Sequence, residues 1–239
     1  MKVLVDIGNT RTKYLIEQVN AEDSRMVIDN TKITNQWLTD HWQAAQQLMI
    51  ASVKTGALTD LISLWASTNK IDVYFIESEK QRFGITNSYQ DPKTLGVDRW
   101  LTFLGASALF PHSGVVIIDA GTATTFDVLD KKGIHQGGWI LSGIDLLLSQ
   151  LTNNTSKVKF EVSEMVDISL GKSTSECVNN AAWAATLGMI NTGIKKAQST
   201  YGIRHCLLLG GNAERIIPFI EFSDVQIIND LIFEGLKRY

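Results

Sequence analysis

Apolar residues gather in short runs at the start of the chain and again near its middle. The first run, Lys2-Val-Leu-Val-Asp-Ile-Gly8, is rich in β-branched residues and ends on a turn pair, which predicts a strand. Lys13 to Glu17 predicts a second strand, so Gly8-Asn9-Thr10 closes a hairpin. Helical spacing follows over Thr34–Gln47 and Leu58–Asn69, then a strand over Ile71–Ile76. Arg99–Phe110 predicts a helix stopped by Pro111, and Pro111-His-Ser-Gly114 is the best linker in the chain. Beyond it, Val115–Thr122 is an apolar strand that again ends in Asp-x-Gly, followed by a hydroxyl-rich turn and the strand Thr125–Leu129. Gly137-Gly138-Trp139-Ile140 leads into a helix over Gly143–Leu151, and a less patterned segment runs on to Gly171. A long Ala-rich helix is expected over Thr174–Tyr201, then a strand from Cys206 into Gly210-Gly211, and a short amphipathic helix over Leu231–Tyr239.

The two glycine hairpins, Val5-Asp6-Ile7-Gly8-Asn9-Thr10 and Ile118-Asp119-Ala120-Gly121-Thr122-Ala123, lie half a chain apart. Such repetition suggests two related domains facing each other, 1–111 and 112–239, with the last helix packing back on the first. A P-loop or a dinucleotide fingerprint needs its glycines between a strand and a helix, and neither pattern occurs here.

Composition narrows the chemistry. The 239 residues are 44% hydrophobic and 20% charged, the balance of a globular protein. A net charge of −3 and the lack of a Lys/Arg cluster argue against nucleic acid. No apolar stretch is long enough to span a bilayer and no leader pattern opens the chain, so a cytoplasmic protein with no membrane partner is expected. Cys177, Cys206 and the four histidines lack metal-ligand spacing, and the cysteines are expected to be reduced thiols in or near the core. The six tryptophans (Trp37, Trp42, Trp65, Trp100, Trp139 and Trp183) are expected mostly in core positions.

A polyphosphate needs closely approaching backbone N–H groups, neutral hydroxyl donors, positive charge and a carboxylate for magnesium. Gly8, Thr10, Thr12, Thr122, Thr124, Thr125, Arg11, Lys13 and Asp6 supply those groups. A single Gly-Asn hairpin is an ordinary tight turn. Two of them, followed by Gly210-Gly211, make phosphoryl transfer to a small-molecule hydroxyl the stronger reading. Asp98, at the head of the Arg99–Phe110 helix, fits two roles equally well by pattern. It is either a first-turn acid favoured by the helix dipole or a general base beside an anion-holding Arg99.

Asp6-Ile-Gly-Asn-Thr-x-x-Lys13, Gly96-Val-Asp-Arg99, Asp119-Ala-Gly-Thr-Ala-Thr-Thr125, Gly137-Gly-x-Ile140 and Ser173-Thr174 together resemble the type III pantothenate kinases, over residues 2 to about 212. The resemblance implies an α/β, two-domain actin-like (ribonuclease H-like) fold, each domain a mixed sheet flanked by helices. It implies ATP-dependent phosphorylation of pantothenate, the first step of coenzyme A synthesis. By position it assigns ATP binding to Asp6, Ile7, Gly8, Asn9, Thr10, Arg11, Thr12, Lys13 and Thr122, and the proton acceptor to Asp98. Pantothenate contacts fall on Tyr89, Gly96, Val97, Asp98, Arg99 and Thr174. Magnesium accompanies the nucleotide, with Asp6 as its carboxylate directly or through water, and a monovalent cation (potassium or ammonium) falls on Asp119. The family's homodimer would let Thr174 serve the neighbouring subunit's site. Two departures stand out: Ser142 replaces the usual proline before Gly143, and Leu209 replaces the usual threonine before Gly210.

Two other readings compete. One is a non-catalytic regulator, against which the joint presence of Asp6, Asp98, Arg99 and Asp119 weighs. The other is a sugar or carboxylate kinase or a polyphosphate hydrolase of the same superfamily, against which Gly96-Val-Asp-Arg99 and the short chain weigh.

Overall fold

A computed structural model describes residues 1–17, 25–53, 56–154 and 159–239, the side chains of 152–154 excepted. These residues form two units, Met1–Leu109 with Asp230–Tyr239, and Phe110–Asn229.

The first unit is built around β1 (Lys2–Ile7), whose Val3, Leu4 and Val5 are buried on both faces of the sheet. The turn at Gly8 returns the chain as β2 (Arg11–Glu17), antiparallel to β1, and β3 (Arg25–Asp29) extends that edge. Helix α1 (Asn35–Trp42) starts where the Thr34 hydroxyl accepts from Trp37 N at 3.2 Å. It ends earlier than the sequence predicted. Gln47, expected as its last residue, instead opens strand β4 (Gln47–Ser52), which is parallel to β1 and was not predicted. Its Leu48, Met49, Ile50 and Ala51 are all buried, but three of the four favour helix and no turn glycine closes the run. Helix α2 (Ala57–Thr68) and strand β5 (Asp72–Ile76) complete a five-stranded sheet of order β3-β2-β1-β4-β5. Leu38, Trp42, Ile62 and Trp65 fill the space between α1, α2 and the sheet, and Tyr14 meets Trp37 and Trp42 edge to face. A two-residue ribbon, β6 (Gln81–Arg82) and β7 (Ile85–Thr86), precedes helix α3 (Val97–Leu109).

The second unit repeats the plan. Strand β8 (Val115–Ala120) is central, β9 (Ala123–Leu129) and β10 (His135–Ser142) follow antiparallel, and helix α4 (Ile144–Asn154) follows. Helix α5 (Thr174–Tyr201) matches its predicted bounds. Its start is fixed by the Ser173 hydroxyl accepting from Glu176 N at 3.2 Å, and its end by Gly202 in the left-handed region at φ 61°. Strand β11 (His205–Leu209), helix α6 (Ala213–Ile216) and strand β12 (Val225–Ile227) close a sheet of order β10-β9-β8-β11-β12. Phe126, Trp183, Leu187, Ile190 and Ile194 pack under it. One core expectation is corrected here: Cys177 is exposed, while Cys206 is buried. Trp42, Trp65, Trp100 and Trp183 are buried as expected of most tryptophans, with Trp139 39% exposed on an edge strand. The chain then returns to the first unit as helix α7 (Leu231–Leu236), which lies against α3.

Candidate active site

In the first unit the strand register places Asp6 opposite Lys13, with Lys13 Nζ 3.8 Å from Asp6 Oδ2. Asp6 is 8% exposed, and burial raises its pKa to about 6. Lys13 opposes that rise, while the negative charge of Asp98 adds to it, so the two carboxylates lie close enough to feel each other.

The turn between β1 and β2 is braced from behind. Gly8 N donates to Arg11 O at 3.0 Å, closing it. Asn30 then threads under it: its Nδ2 donates to Gly8 O at 3.0 Å, and its Oδ1 accepts from Thr12 Oγ1 at 2.8 Å. Asn30 N also donates to Thr10 O at 2.9 Å. Asn30 was missed by sequence reasoning, because a lone Asn far from the motif carries no spacing signal. Thr12 is buried and committed to Asn30, whereas Asn9, Thr10 and Arg11 are exposed and Arg11 Nε lies 3.4 Å from Asp29 Oδ1.

Asp98 is the second residue of α3, and its Oδ1 accepts from Arg99 N at 2.8 Å. The carboxylate folds back over Gly96, where an added Cβ would meet Asp98 Oδ1 at 2.5 Å. Glycine is therefore required for this carboxylate position. Arg99, only 7% exposed, donates from Nη1 to Tyr89 Oη at 2.8 Å, and its guanidinium lies 5.6 Å from the Tyr89 ring centroid. The Tyr89 loop is set by Asn87, whose Oδ1 accepts from Tyr89 N at 3.0 Å and whose Nδ2 donates to Pro92 O at 3.2 Å. A cavity of about 320 Å³ flanks the corner, lined by Ser52, Ile76, Lys93, Gly96 and Val97 among others. The first unit thus brings together Asp6, Lys13 and Asp98, and separately pairs Arg99 with Tyr89.

In the second unit Asp119 occupies the place on β8 that Asp6 occupies on β1, and faces Thr125 across β9. The late glycines converge on it. A Cβ on Gly210, at φ 92°, would strike Asp119 Oδ1, and Asn212 N donates to Ala120 O at 3.0 Å. Gly143 N donates to Thr122 O at 3.0 Å, and a Cβ there would strike Gly121 O. That contact holds Thr122 without the proline that Ser142 replaces. Leu209, the other departure, is buried at the end of β11 in register with Asp119. Thr174 is exposed in the first turn of α5.

No group of three or more His, Cys, Asp or Glu side chains suited to a metal occurs among the described residues. A magnesium ion that arrives with a nucleotide needs only one or two carboxylates besides phosphate oxygens, and a buried carboxylate with a raised pKa fits that requirement. No helix among the described residues is long and apolar enough to cross a membrane.

Comparison with known proteins agrees with this geometry. The family model for type III pantothenate kinases matches residues 2–196. A type III pantothenate kinase from Colwellia psychrerythraea is 39% identical over 249 aligned residues that cover all of both chains. One from Dechloromonas aromatica is 30% identical, covering 100% of this chain and 98% of its own. Among solved structures, a Campylobacter jejuni protein assigned to the Baf family of transcriptional activators superposes with a TM-score of 0.60 at 18% identity, covering 99% of this chain and 96% of its own. A Sinorhizobium meliloti protein assigned as a 2-dehydro-3-deoxygalactonokinase gives 0.65 at 11% identity, covering 100% and 97%. At such identities the superpositions speak for the fold, which is the two-domain actin-like α/β fold of sugar kinases. With four fifths of its length matched and the motif residues in place on both sheets, the chain belongs to the type III pantothenate kinase family.

Proposed function

We propose that the enzyme transfers the γ-phosphoryl group of ATP to the terminal hydroxyl of pantothenate, yielding 4'-phosphopantothenate, with Asp98 as the general base. The observation that carries this reading is the carboxylate pair: Asp98 is held over Gly96 by Arg99 N, and its charge reaches the buried Asp6. In phosphoryl transfer the protein mainly positions the reactants and neutralises charge. Asp98 accepts the hydroxyl proton as oxygen attacks phosphorus. Arg99 and Tyr89 orient pantothenate, Arg99 through its positive charge on the substrate carboxylate, and Gly96, Val97 and Thr174 line its site.

The Asp6–Lys13 turn and Thr122 bind the nucleotide phosphates. Bound magnesium would supply positive charge to the phosphate oxygens, and Asp6 would hold it directly or through water. Lys13 Nζ, 3.8 Å from Asp6, is placed to share that neutralisation. Asp119 and Thr125, hard oxygen donors at the register position of Asp6 and Lys13, suit potassium or ammonium in place of a lysine ammonium.

A homodimer and a cytoplasmic setting complete the reading. The segment before Thr174 carries Val162, Met165, Ile168 and Leu170, the last 96% exposed, which is apolar surface of the kind a subunit interface covers. Incubating the pure protein with ATP, magnesium and a panel of hydroxyl acceptors, with and without potassium, tests the function. ADP release with pantothenate alone, enhanced by potassium, is expected. Release with sugars instead would return the sugar-kinase reading, and no release with any acceptor would return the regulator reading.

A further inference from the structure

Both arms of the proposed substrate corner are tied together from behind by two residues to which the motif match assigns no role. Tyr239 Oη accepts from Trp100 Nε1 at 3.1 Å and donates to Glu79 Oε1 at 2.8 Å. Trp100 is fully buried and directly follows Arg99, while Glu79 leads into the β6–β7 ribbon that precedes the Tyr89 loop. Arg238 makes the same bridge one residue earlier. Its Nη1 donates to Leu104 O at 3.0 Å and to Ser107 Oγ at 2.6 Å on α3, and its guanidinium lies 4.6 Å from the centroid of the Phe83 ring in the ribbon. Arg82 closes the cluster, 4.8 Å from the Tyr239 centroid, with Nη1 3.5 Å from Glu79 Oε2.

The phenol remains a donor throughout the working pH range, since burial pushes its pKa up to about 12 despite the Trp100 bond. Helix α7 delivers the pair. Gly105 of α3 and Gly235 of α7 sit where the two backbones touch, so a Cβ on Gly105 would strike Leu231 O and one on Gly235 would strike Leu101 O. That close contact fixes where Arg238 and Tyr239 emerge.

We propose that Arg238 and Tyr239 are positioning residues for pantothenate phosphorylation, clamping α3 to the β6–β7 ribbon so that Asp98–Arg99 and Tyr89 keep one mutual geometry. Tyr239 holds α3 at Trp100 near its head, and Arg238 holds it at Leu104 and Ser107 further along. This inference rests on the assignment of Asp98, Arg99 and Tyr89 to the pantothenate side of the reaction. A loosened clamp misplaces the acceptor substrate and leaves the phosphate turn on β1–β2 untouched.

Tyr239→Phe keeps the ring and removes both hydrogen bonds, and Arg238→Lys keeps the charge and removes the fork. Each is expected to lower kcat/KM for pantothenate roughly tenfold, a modest part of what misalignment can cause, with KM for ATP little changed. Amide hydrogen exchange of the protein without substrates is expected to quicken at residues 98–102 and 87–90 and nowhere on β1–β2. Unchanged pantothenate kinetics together with unchanged exchange in both variants would overturn the proposal. So would equal losses for both substrates with faster exchange across the whole first unit, the sign of a purely structural role. If the parent protein fails to phosphorylate pantothenate, the functional reading fails on its own account. The exchange pattern alone then decides whether the clamp exists, with local quickening supporting it and no change overturning it.

Discussion

Asp6 carries opposing demands of stability and chemistry in one side chain. Its pKa rises from 3.8 to about 6 because the folded chain buries it, and the unfolded chain does not. Between those values the folded state holds a proton that the unfolded state has lost, so stability falls as pH rises through the window. Above it a charged, buried carboxylate remains, a penalty of at most about 3 kcal/mol. Asp6→Asn is therefore expected to be more stable than the parent in urea at about pH 8, to lose that advantage below about pH 4, and to phosphorylate pantothenate poorly throughout. An advantage of equal size at both pH values would contradict the burial argument. Gly96 makes a second residue-scale prediction. Gly96→Ala brings a methyl group against the carboxylate of Asp98, and should lower kcat by roughly ten- to a hundredfold, the scale of a small misplacement, with little change in unfolding midpoint. Normal turnover in that variant would show that the carboxylate need not lie where it does. Asp6, Asp98 and Arg99 stood out in the sequence as candidates because acids and a cation beside glycines are unusual, although pattern alone left Asp98 equally a first-turn acid. Asn30 was not, since its role exists only once β3 is laid beside β2.

At the scale of elements, legibility followed burial pattern and local signals. Helix α5 was readable to its ends because Ser173 caps one and Gly202 the other. Strand β4 was not, because Leu48, Met49 and Ala51 favour helix and no turn glycine closes the run, whereas the equally buried β1 is richer in β-branched residues and ends at Gly8. Strands β3 and β12 are short edge strands whose pairing depends on neighbours remote in sequence, and neither run declares itself alone. The α3–α7 contact was legible only as an amphipathic final helix expected on the first domain, and the glycine pair that permits it was silent. Gly105→Ala would drive a methyl group into the Leu231 carbonyl and within 3.2 Å of Glu234 Cβ. Such overpacking should destabilise the protein by about 1–3 kcal/mol, read as a lower urea midpoint. If Gly105→Ala matched the parent in stability, the two helices would not be in backbone contact.

Over the whole molecule, the duplicated Asp-x-Gly hairpin noted in the sequence corresponds to two sheets of one topology. In each, a central strand pairs antiparallel with the next strand, which pairs antiparallel with a third. On its other side it pairs parallel with a later strand, which pairs parallel with the last. The carboxylate sits fifth along the centre strand. The repetition was legible because both copies keep the Asp-x-Gly spacing at the end of an apolar strand. The divergence between copies is as informative. Lys13 opposes Asp6 in the first, and neutral Thr125 opposes Asp119 in the second, which is where a monovalent cation is proposed. Asp119→Asn should accordingly abolish potassium stimulation of ADP release, while a variant that keeps full stimulation would place the cation elsewhere.

The account turns on Asp98 as the group that takes the hydroxyl proton. Asp98→Asn keeps the shape and the bond from Arg99 N while removing the base, so steady-state turnover of pantothenate by that variant is the most direct measurement. A fall in kcat of roughly 10²–10⁴-fold with KM for ATP little altered is the predicted result. Turnover close to that of the parent would contradict it.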